Sequence, residues 1–300
     1  MGGDWRARFL EVLPSARVDE PLARHTTFKI GGPADLLLDA RGRDEVVTAL
    51  GLARDARVPV FVLGWGSNLL VKDAGVRGLV LRLAGSFERV EFLESGKVRA
   101  GASVRVPQLV VSCAERGLSG LEPIVGVPGT VGGAVVMNAG TRDGEIGALV
   151  EEAEVVDPVK AEVRTLSRSE LKFSYRASSL GNLVVMTATL QLKPGDKGDI
   201  MTLVARYQQK RLQTQPVHTF NVGSTFKNPP GRFAAKMIEE LGLKGFVVGG
   251  ARISPMHANF IENFAGAKAS DVLALVDLIR ERVRAAFGVD LELEMRVVGE

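Results

Sequence analysis

Apolar residues recur along this chain in three rhythms, and each rhythm predicts a different element. Spacings of three and four predict a helix over residues 43–57, with Val46, Val47, Leu50 and Ala53 on one face and Asp44 near its start. The same spacing predicts a last helix over 271–287, with Val272, Leu275, Val276, Ile279 and Val283 inward. Ser270 can cap that helix and Gly288 can end it. Further helices are expected over 106–116, 199–212 (Ile200, Leu203, Val204 and Tyr207 inward) and 234–241. A continuous apolar run at 58–63, closed by Gly64, suits a buried parallel strand, so the first 80 residues read as a β-α-β unit. A short strand is expected at 36–40; short strands at 79–83, 90–93, 98–100, 153–156 and 163–166 and a long one at 183–192 make the middle α+β and rich in antiparallel signals. Strict alternation at 291–298 predicts a closing strand, with Leu291, Leu293, Met295 and Val297 on one side. Residues 193–198 form the clearest linker.

Composition narrows the class without naming it. The 300 residues are 46% hydrophobic and 24% charged, an ordinary globular balance of a size that suits two or three domains. The formal charge is only +3, and the basic residues are scattered without interleaved aromatics, so nucleic-acid binding is not indicated. No run reaches the roughly 18 apolar residues of a membrane helix. The start, Met1-Gly2-Gly3-Asp4-Trp5-Arg6, lacks the apolar core of a secretory signal. The single cysteine, Cys113, sits in an apolar helix-like run, excludes an internal disulfide and reads as a small core residue. These features point to the cytoplasm. His25, His218 and His257 lie far apart with no partner at ligand spacing, so no metal is expected.

The candidate chemistry sits at glycine-rich corners and three polar sets. Residues 126–140 hold five glycines between apolar flanks, including Pro128-Gly129-Thr130-Val131-Gly132-Gly133 and Asn138-Ala139-Gly140. Such a run can turn several N–H groups toward one anion, or it can simply be a tight set of turns between strands. Gly64-Trp65-Gly66-Ser67-Asn68-Leu69 follows the predicted strand and has Leu69 where a dinucleotide fingerprint needs a third glycine. It reads either as a phosphate- or ribose-binding turn using Ser67 and Asn68, or as a hairpin-like corner. The polar sets are Ser174-Tyr175-Arg176, Ser224 with Lys227 and Asn228, and Glu294 with Arg296. Neither a Gly-x-Ser-x-Gly elbow nor a P-loop is present, so a hydrolase and a P-loop nucleotidase are not supported.

Taken in order, these motifs resemble the UDP-N-acetylenolpyruvoylglucosamine reductase (MurB) family, in its shorter second type. The set is Thr27-Phe28-Lys29-Ile30-Gly31-Gly32, Gly64-x-Gly66-Ser67-Asn68-Leu69, Pro128-Gly129-Thr130-Val131-Gly132-Gly133 with Asn138-Ala139-Gly140, Ser174-Tyr175-Arg176, Gly223-Ser224-x-Phe226-Lys227-Asn228 and Glu294-x-Arg296. The resemblance covers residues from about 20 to the C-terminus. It implies an α+β fold of the vanillyl-alcohol-oxidase/PCMH flavin-binding type. Two FAD-binding subdomains would be 1–78, rejoined by the strand at 290–300, and 79–196, with a third α+β substrate domain at 197–289. It implies non-covalent FAD, NADPH as reducing substrate, a UDP-sugar enolpyruvyl ether as substrate and a monomer. The implied cofactor residues are Gly64, Gly66, Ser67, Asn68, Leu69, Pro128, Gly129, Thr130, Gly132, Gly133, Asn138, Ala139 and Gly140. The implied catalytic residues are Arg176 and a protonated Glu294, which stabilise an enolate, and Ser224, which delivers a proton to C2. Tyr175, Lys227, Asn228 and Arg296 are implied at the substrate. Met256 stands where the family usually has a polar or basic residue, and Trp65 has no assigned role. Two other readings are a flavin oxidoreductase with FAD tethered through His25 and a nucleotide-sugar binding protein without catalysis.

Overall fold

The computed structural model describes residues 5–300. Their contacts group into two compact units. The first takes residues up to Val18, Leu36–Trp65 and Gly78–Lys210, and the second takes Asp19–Asp35, Gly66–Arg77 and Arg211–Glu300.

The first unit carries two sheets with separate cores. One sheet runs in the order Arg17–Pro21, Pro33–Ala40, Val76–Leu83, Val60–Val62. The helix Arg43–Ala56 buries Val46, Ala49, Leu50 and Ala53 in a core shared with Leu36, Leu38, Leu79 and Leu81. Glu45 accepts the backbone N–H of Arg41 at its start, and Arg57 ends it in the left-handed region. Val60–Val62 pairs in parallel with Leu79–Leu81, as its apolar run implies. It is not a buried strand, however. It lies at the end of the sheet order and leaves Val62 40% exposed, because only one of its edges has a neighbour.

The other sheet is antiparallel throughout, in the order Val163–Ser167, Val150–Val156, Val184–Gln191, Lys97–Gly101, Val90–Phe92. The helix Val106–Ala114 buries Val106, Leu109, Val110, Cys113 and Ala114 in its core. Burial pushes the Cys113 thiol up to about 12, as befits an inert core residue. The supposed linker at 193–198 is not loose. Lys193–Pro194 pairs with Leu118–Ser119, and the helix Lys197–Thr214 begins at once. Ile200 and Val204, one turn apart, enter this same core, so the division between units falls after Lys210.

The second unit is organised by the helix Ala269–Phe287, whose Val272, Leu275, Val276, Ile279 and Val283 are all buried. It packs with the helix Ala234–Glu240 and the antiparallel strands Val247–Val248, Ala251–Ile253 and Ile261–Asn263. Gly288 closes it in the left-handed region as expected. Its start differs from expectation, because Ser270 is not the cap. The carboxylate of Asp73 accepts the N–H groups of Ala269 at 2.8 Å and Ser270 at 3.1 Å, and Asp271 accepts those of Lys268 and Gly250. The closing strand is also shorter than its alternation predicts. Only Arg296–Val298 forms a ladder, parallel to Leu69–Val71. Upstream, the backbone of 292–294 bonds to 225–227 instead, so the segment divides between two partners. Among the described residues no helix is long and apolar enough to cross a membrane.

Two outcomes are expected. Asp73→Ala leaves two N–H groups of a first helical turn without their acceptor and lowers stability by about 1–2 kcal/mol, read by urea unfolding. The Asp271 carboxyl is held below the usual carboxylate range by the N–H groups of Lys268 and then Gly250. Its folded pKa is lower than its unfolded one, so its contribution is present above the unfolded value and lost as pH falls through the folded one. The melting temperature of Asp271→Asn should therefore fall less steeply on acidification below about pH 4 than that of the parent; equal slopes would remove Asp271 from this role.

Candidate active site

In the first unit, the glycine-rich run is built around a short helix, Val131–Val136. Thr130 precedes it and bridges to Arg105, with Val106 N–H bonded to the Gly129 carbonyl. The first N–H groups of the helix are tied down, Val131 to Val104 and Gly132 to Ala102. The glycines here do different things. A Cβ on Gly132 would lie 2.9 Å from Cβ of Ala102, and one on Gly64 would lie 2.8 Å from Oγ1 of Thr130. A Cβ on Gly140 would meet Glu145 and Gly144 at 2.6 Å. These three are needed for close packing. Gly133 is exposed, and a Cβ there meets only Thr130 Oγ1, at 3.7 Å, so its face is open to a ligand. The guanidinium of Arg105, the residue whose backbone bridges to Thr130, lies over the Trp65 indole, 3.1 Å from the ring centroid.

The C-terminal end of the same helix leads into a buried polar network. Asn138 is 1% exposed and adopts φ +46°. Its Nδ2 donates to Glu145 Oε2 at 2.7 Å and to the Ser174 carbonyl at 2.9 Å, while its Oδ1 accepts Gly147 N–H. The side chain is thus committed to protein partners, and it pins the turn that carries Arg176. That turn joins Phe173–Ser174 to Ala177–Ser178 through Tyr175 and Arg176. Arg176 sits at φ +56°, a region that disfavours an arginine. Its Nη2 donates to the Gly140 carbonyl at 3.0 Å, and Nη1 lies 3.8 Å from Glu145 Oε1. Tyr175 is 47% exposed, with the Arg176 guanidinium 4.9 Å from its ring centroid.

In the second unit, Ser224 and Glu294 are neighbours through backbone bonds. Glu294 N–H donates to the carbonyl of Thr225, the residue after Ser224, at 2.9 Å. Asn259 clamps the other side, since its carbonyl accepts Thr225 N–H and its side chain exchanges two bonds with the Phe226 backbone. Asn68 joins the group, because its Nδ2 donates to the Glu294 carbonyl and its own carbonyl accepts Arg296 N–H. The Ser224 hydroxyl has no hydrogen-bond partner among the described residues. Gly66 packs on His25 and Thr26 at φ +65°, where a Cβ would lie 2.4 Å from the His25 carbonyl. Leu69 is buried in the ladder with the C-terminal strand. Lys227 pairs with Glu292 at 2.5 Å, and Asn228 Oδ1 accepts Ala234 N–H at the start of a helix. Arg296 is exposed and has no carboxylate partner among the described residues. Met256 is 48% exposed.

Gly64, the 128–140 run, Tyr175 and Arg176 thus belong to the first unit, while Gly66, Ser67, Asn68, Leu69, Ser224, Lys227, Asn228, Glu294 and Arg296 belong to the second. Residues 34–167 match a family described as FAD binding domain, and helices and sheets mix along them in an α+β architecture. The class is therefore an FAD-containing oxidoreductase. Residues 215–298 match the family described as UDP-N-acetylenolpyruvoylglucosamine reductase, C-terminal domain. The chain is 46% identical to the reductase of that name from Moorella thermoacetica over 94% of this chain and 93% of that one. It is 44% identical to the one from Rubrobacter xylanophilus over 96% and 97%. The crystal structure of UDP-N-acetylenolpyruvylglucosamine reductase (MurB) from Thermus caldophilus superposes with a TM-score of 0.82 at 40% identity, covering 95% of this chain and 98% of that one. The chain belongs to the UDP-N-acetylenolpyruvoylglucosamine reductase family.

Sequence reasoning missed Glu145, Asn259 and Arg105. Glu145 and Asn259 act through contacts that no local spacing encodes, although Asn259 lies in a polar-apolar run that already drew notice through Met256. Asn138→Ala should lower stability by about 2–4 kcal/mol, since it strands the buried Gly147 N–H, removes two donors and puts alanine at a positive φ. Urea unfolding measures this, and a change under 1 kcal/mol would mean the network is not what fixes the turn.

Proposed function

We propose that the chain reduces the enolpyruvyl ether of UDP-N-acetylglucosamine to UDP-N-acetylmuramate, a step of peptidoglycan precursor synthesis, with NADPH as reducing substrate. Membership of the reductase family supports the reaction. The observation that carries the local assignment is the uncommitted hydroxyl of Ser224, one residue before Thr225, whose carbonyl accepts Glu294 N–H. The residues present also fit the cofactor. Gly133 leaves open a face that any side chain would begin to fill, and the nearby Thr130 is bridged to Arg105, whose guanidinium suits an anion. In this reading Gly64, Gly66, Ser67, Asn68, Leu69, Pro128, Gly129, Thr130, Gly132, Gly133, Ala139 and Gly140 are the residues assigned to FAD. His25 Nε2 lies 2.8 Å from Glu20 Oε1, an engagement that favours non-covalent FAD over a tether.

FAD, when bound, would supply the two-electron chemistry that links NADPH oxidation to hydride delivery at C3 of the enolpyruvyl group. Charge then develops on the substrate carboxylate and C2. The Arg176 guanidinium, held by Gly140 and Glu145, would stabilise that charge, together with Glu294 as the carboxylic acid. Ser224 would deliver its proton to C2. Serine is a weak acid, so this step depends on water exclusion and on the strong basicity of the enolate. Arg296 is the freer cation for the nucleotide phosphates. Lys227 would exchange Glu292 for substrate, Asn228 would orient the loop, and Tyr175 would cover the sugar. In this reading residues 1–78 with 290–300 and residues 79–196 hold the cofactor, and 197–289 hold the substrate. The enzyme works as a monomer in the cytoplasm, without a nucleic-acid or membrane partner.

The test separates the two half-reactions. Ser224→Ala should keep bound flavin and leave its reduction by NADPH nearly unchanged, because no proton goes to carbon there. Flavin reoxidation by the enolpyruvyl substrate should slow by about 10²–10⁴-fold or more. Glu294→Gln should show the same asymmetry. Stopped-flow absorbance at the flavin band reads both steps, and equal slowing of the two in Ser224→Ala would remove Ser224 as the donor. A purified protein that is colourless and takes up no added FAD would end the whole reading.

A further inference from the structure

The indole of Trp65 and the guanidinium of Arg105 form the closest cation-π contact among the described residues, 3.1 Å from cation to ring centroid. Both belong to the first unit. Trp65 follows Gly64, whose missing Cβ makes room for Thr130 Oγ1. Arg105 bridges through its backbone to that same Thr130. The pair therefore stands beside the glycine-rich run, with Arg105 bridged to Thr130 and Trp65 one residue from the glycine that packs on it. Arg105 is exposed, yet it has no carboxylate partner among the described residues. Arg43, Arg54, Arg82 and Arg99 of the same unit each have one. Long charged side chains on a surface ordinarily stay mobile and solvated, and an arginine held over an aromatic ring has lost part of that freedom before any ligand arrives. A guanidinium in such a contact keeps its N–H donors, a fork suited to two oxygens of an anion.

We infer that Arg105, pre-positioned on Trp65, is the charged anchor for the diphosphate of FAD. This deepens the reading that the glycine-rich run cradles FAD and rests on it. Backbone N–H groups and open glycine faces supply shape and partial charge to the cradle, whereas Arg105 supplies a full positive charge. Trp65 has a role in this account as the platform that holds the guanidinium, so bulk between two glycines is required rather than merely tolerated.

The experiment titrates FAD into the flavin-free protein and follows quenching of flavin fluorescence, at low salt and at 0.5 M salt. Arg105→Gln should weaken FAD binding about 10–100-fold at low salt, the loss expected for a charge-assisted hydrogen-bond pair. The gap should narrow at high salt, where the charge is screened. Arg105→Lys should recover part of the affinity. Trp65→Leu should weaken FAD binding with Arg105 intact, and Trp65→Phe should recover much of it. Arg105 is exposed, so the flavin-free variant should melt with the parent, which separates a lost contact from a lost fold. FAD binding by Arg105→Gln at parental affinity would overturn the inference. So would a loss independent of salt, which would mean stacking on the adenine rather than contact with the diphosphate. Gly133→Val tests the underlying reading separately. If it loses FAD while Arg105→Gln does not, the cradle stands and the anchor falls; if neither variant is affected, the cradle reading falls as well.

Discussion

The second unit depends on one backbone seam. The segment from Glu292 to Glu300 has its main-chain groups claimed in turn by three stretches of chain: Lys227 and Thr225, then Asn68, then Lys72 and Ala74. Buried backbone groups must be paired, so this segment cannot slide by a residue without stranding several of them. Asn68 and Glu294 are 226 positions apart, yet the seam holds them one hydrogen bond from each other and sets Ser224 beside them. The side chains named as catalytic are therefore located by main-chain bonds that their own chemistry does not use. Substituting Ser224 or Glu294 can change reactivity while leaving the seam intact, and that is what makes half-reaction kinetics interpretable.

The first unit solves the same problem with side chains. Arg176 occupies a strained backbone position, and something must hold it there. Asn138 does so by spending both ends of its amide on three partners, and Glu145 links it to the Arg176 guanidinium. A buried network of this kind is costly when half satisfied, so it stands or falls as a unit. The surrounding glycines divide accordingly. Gly64, Gly132 and Gly140 are required by neighbours already in van der Waals reach, and Gly133 alone of these four faces outward into open space.

What the sequence revealed follows the range of the forces involved. The helix Ala269–Phe287 was legible because five buried aliphatics repeat at helical spacing and Gly288 stops it locally. Its N-terminus was not, because the acceptor of its first N–H groups is Asp73, nearly 200 residues upstream, and the adjacent Ser270 was the natural local choice. The closing strand was misread in extent for a related reason. Alternation records which side chains go inward, and Leu291 and Met295 are indeed buried, but it does not say which segment receives the backbone. The run at Val60–Val62 shows the converse error, since continuous apolarity was taken for burial on both sides although the strand lies at an edge. Motif residues were found because glycine, serine and arginine in unusual settings stand out. Glu145 and Asn259 were missed because a carboxylate or amide in a loop looks ordinary until its partners are known.

The contrast between the two units bears on how a serine could act as a proton donor. Its hydroxyl must be placed accurately and must also be free to turn. Around Ser224 the neighbouring backbone is almost fully committed: Gly223 N–H bonds to Asn221, Thr225 to Asn259 and Glu294, and Phe226 to Asn259. The hydroxyl itself is bound to none of the described residues. Position is thus fixed by the main chain, while the rotor keeps its freedom, so delivering a proton to carbon would break no existing protein hydrogen bond. A serine already donating to a carboxylate would lose that charge-assisted bond on transfer, at a cost of about 1.5–3 kcal/mol, which is one to two orders of magnitude in rate. Leaving the Ser224 hydroxyl unpaired while over-determining its surroundings is the arrangement that would spare such a transfer this cost.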